Sequence, residues 1–175
     1  MTSTSPRFVE GSVAFLGLGV MGGPMAGHLA KSGRAVTVYN RTATKALAWV
    51  GEHGGRAAPT PVEAVEGAEF VMMCVGNDDD VRAVALGSNG ALSGMAPGSI
   101  LIDHTTASAR VARELADACA AVGVGFVDAP VSGGQAGAEN GLLTVMCGSD
   151  DEGVFERARR AVAPYARACE RLGVA

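Results

Sequence analysis

Val13-Ala14-Phe15-Leu16-Gly17-Leu18-Gly19-Val20-Met21-Gly22-Gly23-Pro24-Met25 decides how this chain of 175 residues folds. Four apolar residues, Val13 to Leu16, run into Gly17-x-Gly19-x-x-Gly22 and then into a helical pattern that carries Met25 and Leu29. The order is strand, tight turn, helix. Gly17 permits the turn, Gly19 clears the space where a pyrophosphate approaches the backbone, and Gly22 lets the helix pack close to the strand. The phosphates then meet the helix N-terminus, where unpaired N–H groups and the positive dipole end favour an anion. Pro24 fits the first turn, because its missing N–H is no loss there. With 25 glycines in the chain the triplet alone says little. Its weight comes from the strand before it, the helix after it and a second strand at Ala35–Tyr39.

Working outward, the same alternation repeats. Gly33 is placed to stop the first helix. After Ala35–Tyr39, Thr42 or Thr44 can cap a helix that runs to about His53. Thr60-Pro61-Val62-Glu63 reads as a capping box with proline at the first helical position. Glu69–Val75 is almost continuously apolar, as expected of a strand buried on both faces of a parallel sheet. Asn77-Asp78-Asp79-Asp80 opens a helix through Val81, Val84 and Ala85. Strands follow at Ser99–Ile102, Gly125–Val127 and Leu142–Cys147, with a helix marked by Val111, Leu115 and Cys119 between the first two. Ser149-Asp150-Asp151-Glu152 is a second capping box, Pro164 ends the helix it opens, and Ala168–Leu172 forms a last short strand. These elements predict an α/β fold, a doubly wound Rossmann-type parallel sheet spanning residues 12–175. The polar stretch 1–11 reads as a loose arm.

Composition narrows the function. The formal charge of −4 argues against a nucleic-acid surface, which needs a basic patch, and no apolar run approaches the length of a membrane span. Cys74, Cys119, Cys147 and Cys169 show no metal-ligand spacing and read as buried, reduced thiols of a cytoplasmic protein. The triplet Asp78–Asp80 is no metal site, because three consecutive side chains diverge; favourable charge at a helix N-terminus explains it.

In a sheet of this kind the loops at the strand C-termini carry the chemistry. An NAD-specific site places a carboxylate at the end of the second strand, against the ribose 2′-hydroxyl. Here Asn40 stands there, with Arg41 beside it and no acid to repel a 2′-phosphate. A guanidinium pairs well with such a phosphate, so NADP is the expected cofactor, with NAD possible.

Four stretches resemble the β-hydroxyacid dehydrogenase family, which includes 3-hydroxyisobutyrate dehydrogenase, tartronate semialdehyde reductase and glyoxylate/succinic semialdehyde reductase. They are F-L-G-L-G-V-M-G-G-P-M at Phe15–Met25, V-Y-N-R-T at Val38–Thr42, I-D-H-T-T at Ile102–Thr106 and D-A-P-V-S-G-G at Asp128–Gly134. The last continues as A-x-x-G-x-L-T-x-M at Ala138–Met146. The resemblance implies hydride transfer between a nicotinamide and a small 3-hydroxyacid or semialdehyde. It implies cofactor contacts at Gly17, Leu18, Gly19, Val20, Met21, Gly22, Asn40, Arg41, Thr42, Val75, Gly76, Asp80 and Thr106. It also implies a seat for a small carboxylate substrate at Ser132, Gly133 and Gly134. The residues fit that seat, since Ser132 offers a hydroxyl and the two glycines expose N–H groups near a helix start; a flexible turn is the alternative. Thr105 and Thr106 could equally cap a helix, and His104 is expected to be a structural bystander rather than an acid.

The family also carries a Rossmann domain followed by an all-helical domain that forms the dimer. Its catalytic lysine lies in a G-x-x-G-x-x-x-K-x-x-x-N helix after the Rossmann domain. That motif is expected to begin near Gly173-Val174-Ala175, and Lys31 and Lys45, the only lysines here, do not match it. The expectation is therefore an enzyme's cofactor domain with no catalytic residue among these 175, inactive alone, whose homo-oligomeric contacts lie in the helical domain. The rival readings are a non-catalytic dinucleotide-binding module or truncated fragment and, disfavoured by Ser132-Gly133-Gly134, an imine reductase.

Overall fold

The computed structural model describes residues 8–175, and its sheet grows outward from β1 (Val9–Leu16). On one side of β1 lie β2 (Val36–Tyr39) and β3 (Arg56–Ala57). On the other lie β4 (Ala68–Met73), β5 (Ile100–Asp103) and β6 (Gly125–Asp128), and all six strands are parallel. The chain thus lays β2 and β3 to one side, returns past β1 and continues with β4 on the other. Strand order reverses between β1 and β4.

Beyond β6 the sheet is mixed. β8 (Leu143–Gly148) runs antiparallel to β6 and to β7 (Val131–Ser132), and β9 (Ala166–Gly173) pairs parallel with β8. The sequence pattern predicts β8 as one more parallel strand and leaves β7 in a loop. The reason for the difference is length: the link from β7 to β8 holds only α6 (Gly134–Asn140), closed by Gly141 in the left-handed region. A parallel crossover needs a longer connection.

Side chains alternate across each buried strand, so the apolar runs feed two cores. Phe15, Met72 and Ile102 face α1 (Gly22–Lys31), α2 (Ala43–His53) and α7 (Glu152–Val162), packing with Met25, Leu29, Trp49 and Phe155. Leu16, Val71 and Leu101 face the other way, towards α3 (Pro61–Ala64), α4 (Asp78–Leu86) and α5 (Ala109–Ala121), meeting Val81, Val111 and Leu115. Burying each such side chain contributes about 1.5–3 kcal/mol, which outweighs local propensity and holds helices on both faces.

Three local expectations change. β1 starts at Val9, which pairs with Ala68, and the Gly11 N–H donates to Glu69 Oε2 at 2.6 Å. The strand therefore reaches into the stretch read as an arm, drawn there by sheet hydrogen bonds; residues 1–7 lie outside the described residues. The Thr60 box opens only one turn, α3, with the Thr60 hydroxyl accepting from the Glu63 N–H at 3.3 Å. At α7 the cap is Asp151, whose Oδ1 accepts the Val154 N–H at 2.9 Å. Ser149 is buried instead, and its hydroxyl donates to the Asp151 carbonyl at 3.1 Å.

Replacing Asp151 by Ala should lower stability by about 1 kcal/mol, with Asn restoring most of it. Urea unfolding of the two variants checks which residue caps the helix; an unchanged midpoint for Asp151→Ala contradicts the assignment.

Candidate functional site

Where strand order reverses, the loops leaving β1 and β4 pass to opposite faces and open a crevice at the strand C-termini. A cleft of about 740 Å³ occupies that position. Its floor is the turn Gly17–Gly22; its walls are the β2–α2 loop with Asn40, Arg41 and Thr42, and the β4–α4 segment with Val75, Gly76 and Asp80. All the expected cofactor residues except Thr106 converge here. Lys45 and the Pro59-Thr60-Pro61 segment also line it; the capping box marked that segment in the sequence, but only as a helix start.

The three glycines do different work. A Cβ on Gly17, whose φ is +98°, would stand 2.1 Å from the Cys74 carbonyl oxygen. One on Gly22 would stand 2.0 Å from the Gly17 carbonyl oxygen. Both glycines are demanded by backbone packing. Gly19 is different: apart from its own chain neighbours, no protein atom among the described residues lies within 4 Å of its missing Cβ. The space over Gly19 is open to the cleft, as a pyrophosphate seated on this turn requires. The residues present therefore fit a dinucleotide.

Asn40 has a role that reading it as a missing acid overlooks. Its Oδ1 accepts the Leu18 N–H at 3.0 Å and its Nδ2 donates to the Thr42 carbonyl at 3.0 Å. The amide thus ties the glycine turn to the entry of α2. Arg41 is likewise not without an acidic partner: its guanidinium lies 3.2 Å from Asp80 Oδ1 across the cleft. The long side chain reaches an acid on the opposite wall, one that is distant in sequence.

Thr106 is exposed and does not line the cleft. Its neighbour Thr105 is buried, and its hydroxyl accepts the Val75 N–H at 3.1 Å, fixing the β4 end. Ser132, Gly133 and Gly134 are exposed and lie outside the cleft, at the β7–α6 junction, where both glycines adopt positive φ. Asp78 accepts from the Ser108 N–H at 2.9 Å. No group of three or more His, Cys, Asp or Glu placed to hold a metal occurs among the described residues. No described helix is long and apolar enough to cross a membrane.

Behind the cleft lie two buried titratable groups. His104 Nδ1 donates to the Ala129 carbonyl at 2.7 Å, because a carbonyl can only accept, and Nε2 accepts the Tyr165 hydroxyl at 2.7 Å. Burial pushes the imidazole down to about 4, so it is neutral and satisfied, a structural tie rather than an acid. Asp103 is pushed up to about 7, first by burial, against the hydrogen bonds from Thr105 and with a smaller contribution from the Asp128 charge.

These shifts act in opposite directions. The raised Asp103 contributes stability that is present below its ordinary 3.8 and lost as pH rises through about 7. The lowered His104 contributes stability present above its ordinary 6.5 and lost as pH falls through about 4. Acidification from pH 7 to 4 therefore gains from one and loses from the other. Asp103→Asn removes the gain, so its stability should fall more steeply than the parent's over that range in urea titrations; parallel curves contradict the assignment.

The glycines give a second test. Gly22→Ala should unfold or strongly destabilise the domain, since backbone must move. Gly19→Ala should leave the melting temperature within a few degrees, a change of about 0.5 kcal/mol, yet weaken dinucleotide binding in fluorescence titrations. Intact binding by Gly19→Ala contradicts the placement of the phosphates.

Residues 12–173 match the family described as the NAD binding domain of 6-phosphogluconate dehydrogenase. An uncharacterized oxidoreductase of Shewanella frigidimarina is 57% identical over 161 residues, 92% of this chain and 55% of that protein. The 3-hydroxyisobutyrate dehydrogenase of Pseudomonas aeruginosa is 42% identical over 147 residues, 84% of this chain and 49% of that one. Among solved structures, the Mycobacterium tuberculosis 3-hydroxyisobutyrate dehydrogenase with L-serine superposes with a TM-score of 0.87 at 33% identity. The match covers 95% of this chain and 56% of that one. The chain spans about half the length of the relatives it matches.

Proposed function

The chain belongs to the family of the NAD-binding domain of 6-phosphogluconate dehydrogenase, and from that premise we propose that it is the cofactor domain of an NADP-preferring oxidoreductase acting on a small 3-hydroxyacid or semialdehyde. The observation that carries the cofactor choice is the end of the cleft. Asn40 there is engaged with Leu18 and Thr42, while Arg41 beside it is 84% exposed, held only by its surface pair with Asp80, and within reach of a 2′-phosphate bound at this end. No carboxylate stands at the end of β2 to take a ribose 2′-hydroxyl.

The turn Gly17–Gly22 and the N-terminus of α1 hold the pyrophosphate, which takes the open space at Gly19 and the unpaired N–H groups of a helix start. Val75 and Gly76 form the opposite wall, with Val75 held in place by Thr105. When bound, the dinucleotide supplies the nicotinamide that gives or takes a hydride. Ser132, with the N–H groups of Gly133 and Gly134, supports a seat for the substrate carboxylate, exposed towards whatever closes the far side of the crevice.

Neither lysine stands where the family's acid/base does. Lys31 ends α1 and Lys45 lines the cleft from α2. The proton for the substrate oxygen therefore comes from a group outside these residues, and these residues alone bind dinucleotide without turning substrate over. Homo-oligomeric contacts belong to the helical domain. The four cysteines are all free, as suits a cytoplasmic protein.

Arg41→Asp tests the cofactor choice. It replaces a charge-assisted contact with repulsion and should weaken NADPH by more than about 1.5 kcal/mol while changing NADH far less. Fluorescence titration of both cofactors checks it; equal affinity of the parent chain for NADPH and NADH removes the basis of the reading.

A further inference from the structure

We propose that Asp80 sets the selectivity between 2′-phosphorylated and 2′-unphosphorylated dinucleotides, by competing with the 2′-phosphate for Arg41. The inference rests on the cofactor site proposed above and concerns what tunes it.

Three consecutive acids open α4, and each goes to a different partner. Asp78 is bound by Ser108, through its N–H at 2.9 Å and its hydroxyl at 2.5 Å. Asp79 pairs with Arg82 at 3.3 Å, and Arg82 is held in turn by Glu114 at 2.8 Å. Only Asp80 turns across the cleft, to Arg41. Its backbone is anchored, since its N–H donates to the cap Asn77 Oδ1 at 2.9 Å. The carboxylate lies over Gly76, where a Cβ would stand 2.7 Å from Asp80 Oδ2. Gly76 thus leaves the room in which this carboxylate rests. Asp80 is 28% exposed against 84% for Arg41, so the acid is the fixed partner and the guanidinium the mobile one.

The charges then decide the outcome. The pair is neutral, so a 2′-phosphate, carrying about −1.5 to −2, meets no net positive charge from it. To engage Arg41 it must draw the guanidinium off Asp80, or accept the Asp80 carboxylate as a near neighbour. A dinucleotide with a free 2′-hydroxyl faces neither cost. An exposed ion pair orients its arginine only weakly, so competition outweighs any help Asp80 gives by positioning Arg41. Lys45, the other cation lining the cleft, is not in this contact.

Isothermal titration calorimetry of the chain with 2′,5′-ADP and 5′-AMP tests this. In Asp80→Asn the ratio of affinities for 2′,5′-ADP over 5′-AMP should rise about threefold over the parent, the size expected for releasing Arg41 from one exposed ion pair. Asp80→Glu should stay near the parent, and thermal melting confirms that each variant is folded. In an Arg41→Ala background the gain from Asp80→Asn should largely vanish, as coupled residues require. An unchanged or lower ratio in Asp80→Asn overturns the proposal, and so does an equal gain in both backgrounds, which is simple repulsion. The parent's preference between NADPH and NADH is measured separately. A parent without preference whose Asp80→Asn variant gains the ratio sinks the cofactor reading and keeps this one, and the reverse pattern does the opposite.

Discussion

The structure depends on one close approach of backbone to backbone. The missing side chains of Gly17 and Gly22 let the Cys74 carbonyl meet the turn, and the Gly17 carbonyl meet α1, at separations no Cβ survives. Around that point the Gly17 N–H donates to the Tyr39 carbonyl and the Cys74 N–H to the Leu16 carbonyl, both at 2.9 Å. The ends of β1, β2 and β4 are thereby tied together just where their loops part. Trp49 adds α2 by donating its indole N–H to the Gly23 carbonyl at 3.1 Å. The cleft is the space left when these elements are held so close at one end, and it is shaped mostly by backbone.

That dependence explains what could be read in the chain. Glycine spacing and apolar runs are local signals, and they located β1, α1, the β2 end and the buried strand β4. Contacts between residues distant in sequence leave no such trace. Nothing in Asn40 announces that its amide will hold Leu18, and nothing in Asp80 points at Arg41. The direction of β8 escaped for a related reason, since an apolar strand looks the same whichever way it runs. Ser149 resembled a cap because the capping pattern fits either of two registers, and burial of Ser149 decided for Asp151.

Behind the cleft, the polar run Asp103-His104-Thr105 is buried at the end of β5, where a strand core is usually apolar. Each polar group is satisfied: Asp103 takes the Thr105 N–H at 2.9 Å, His104 spans Ala129 and Tyr165, and Thr105 holds Val75. Among the described residues no buried side-chain nitrogen or oxygen lacks a partner. Such a network adds little net stability per bond but fixes geometry, because breaking any one link strands a buried group at about 1–3 kcal/mol. It holds the β4 and β5 ends in register under the cleft wall.

The cleft therefore has two parts of different character. Its end at the glycine turn is mostly backbone, and Gly17 and Gly22 there are enforced by packing. Its end at Arg41 is side chain: Arg41 is largely in solvent, and neither it nor Asp80 belongs to either core. Substitutions there alter charge at a place where stability is nearly indifferent, within about 0.5 kcal/mol for exposed positions. The glycine turn is thus built into the fold, whereas Arg41 and Asp80, to which the proposals above give the choice between phosphorylated and unphosphorylated dinucleotides, lie where the fold makes few demands. A scaffold divided in this way can exchange one cofactor for the other while β1, the glycine turn and α1 stay as they are.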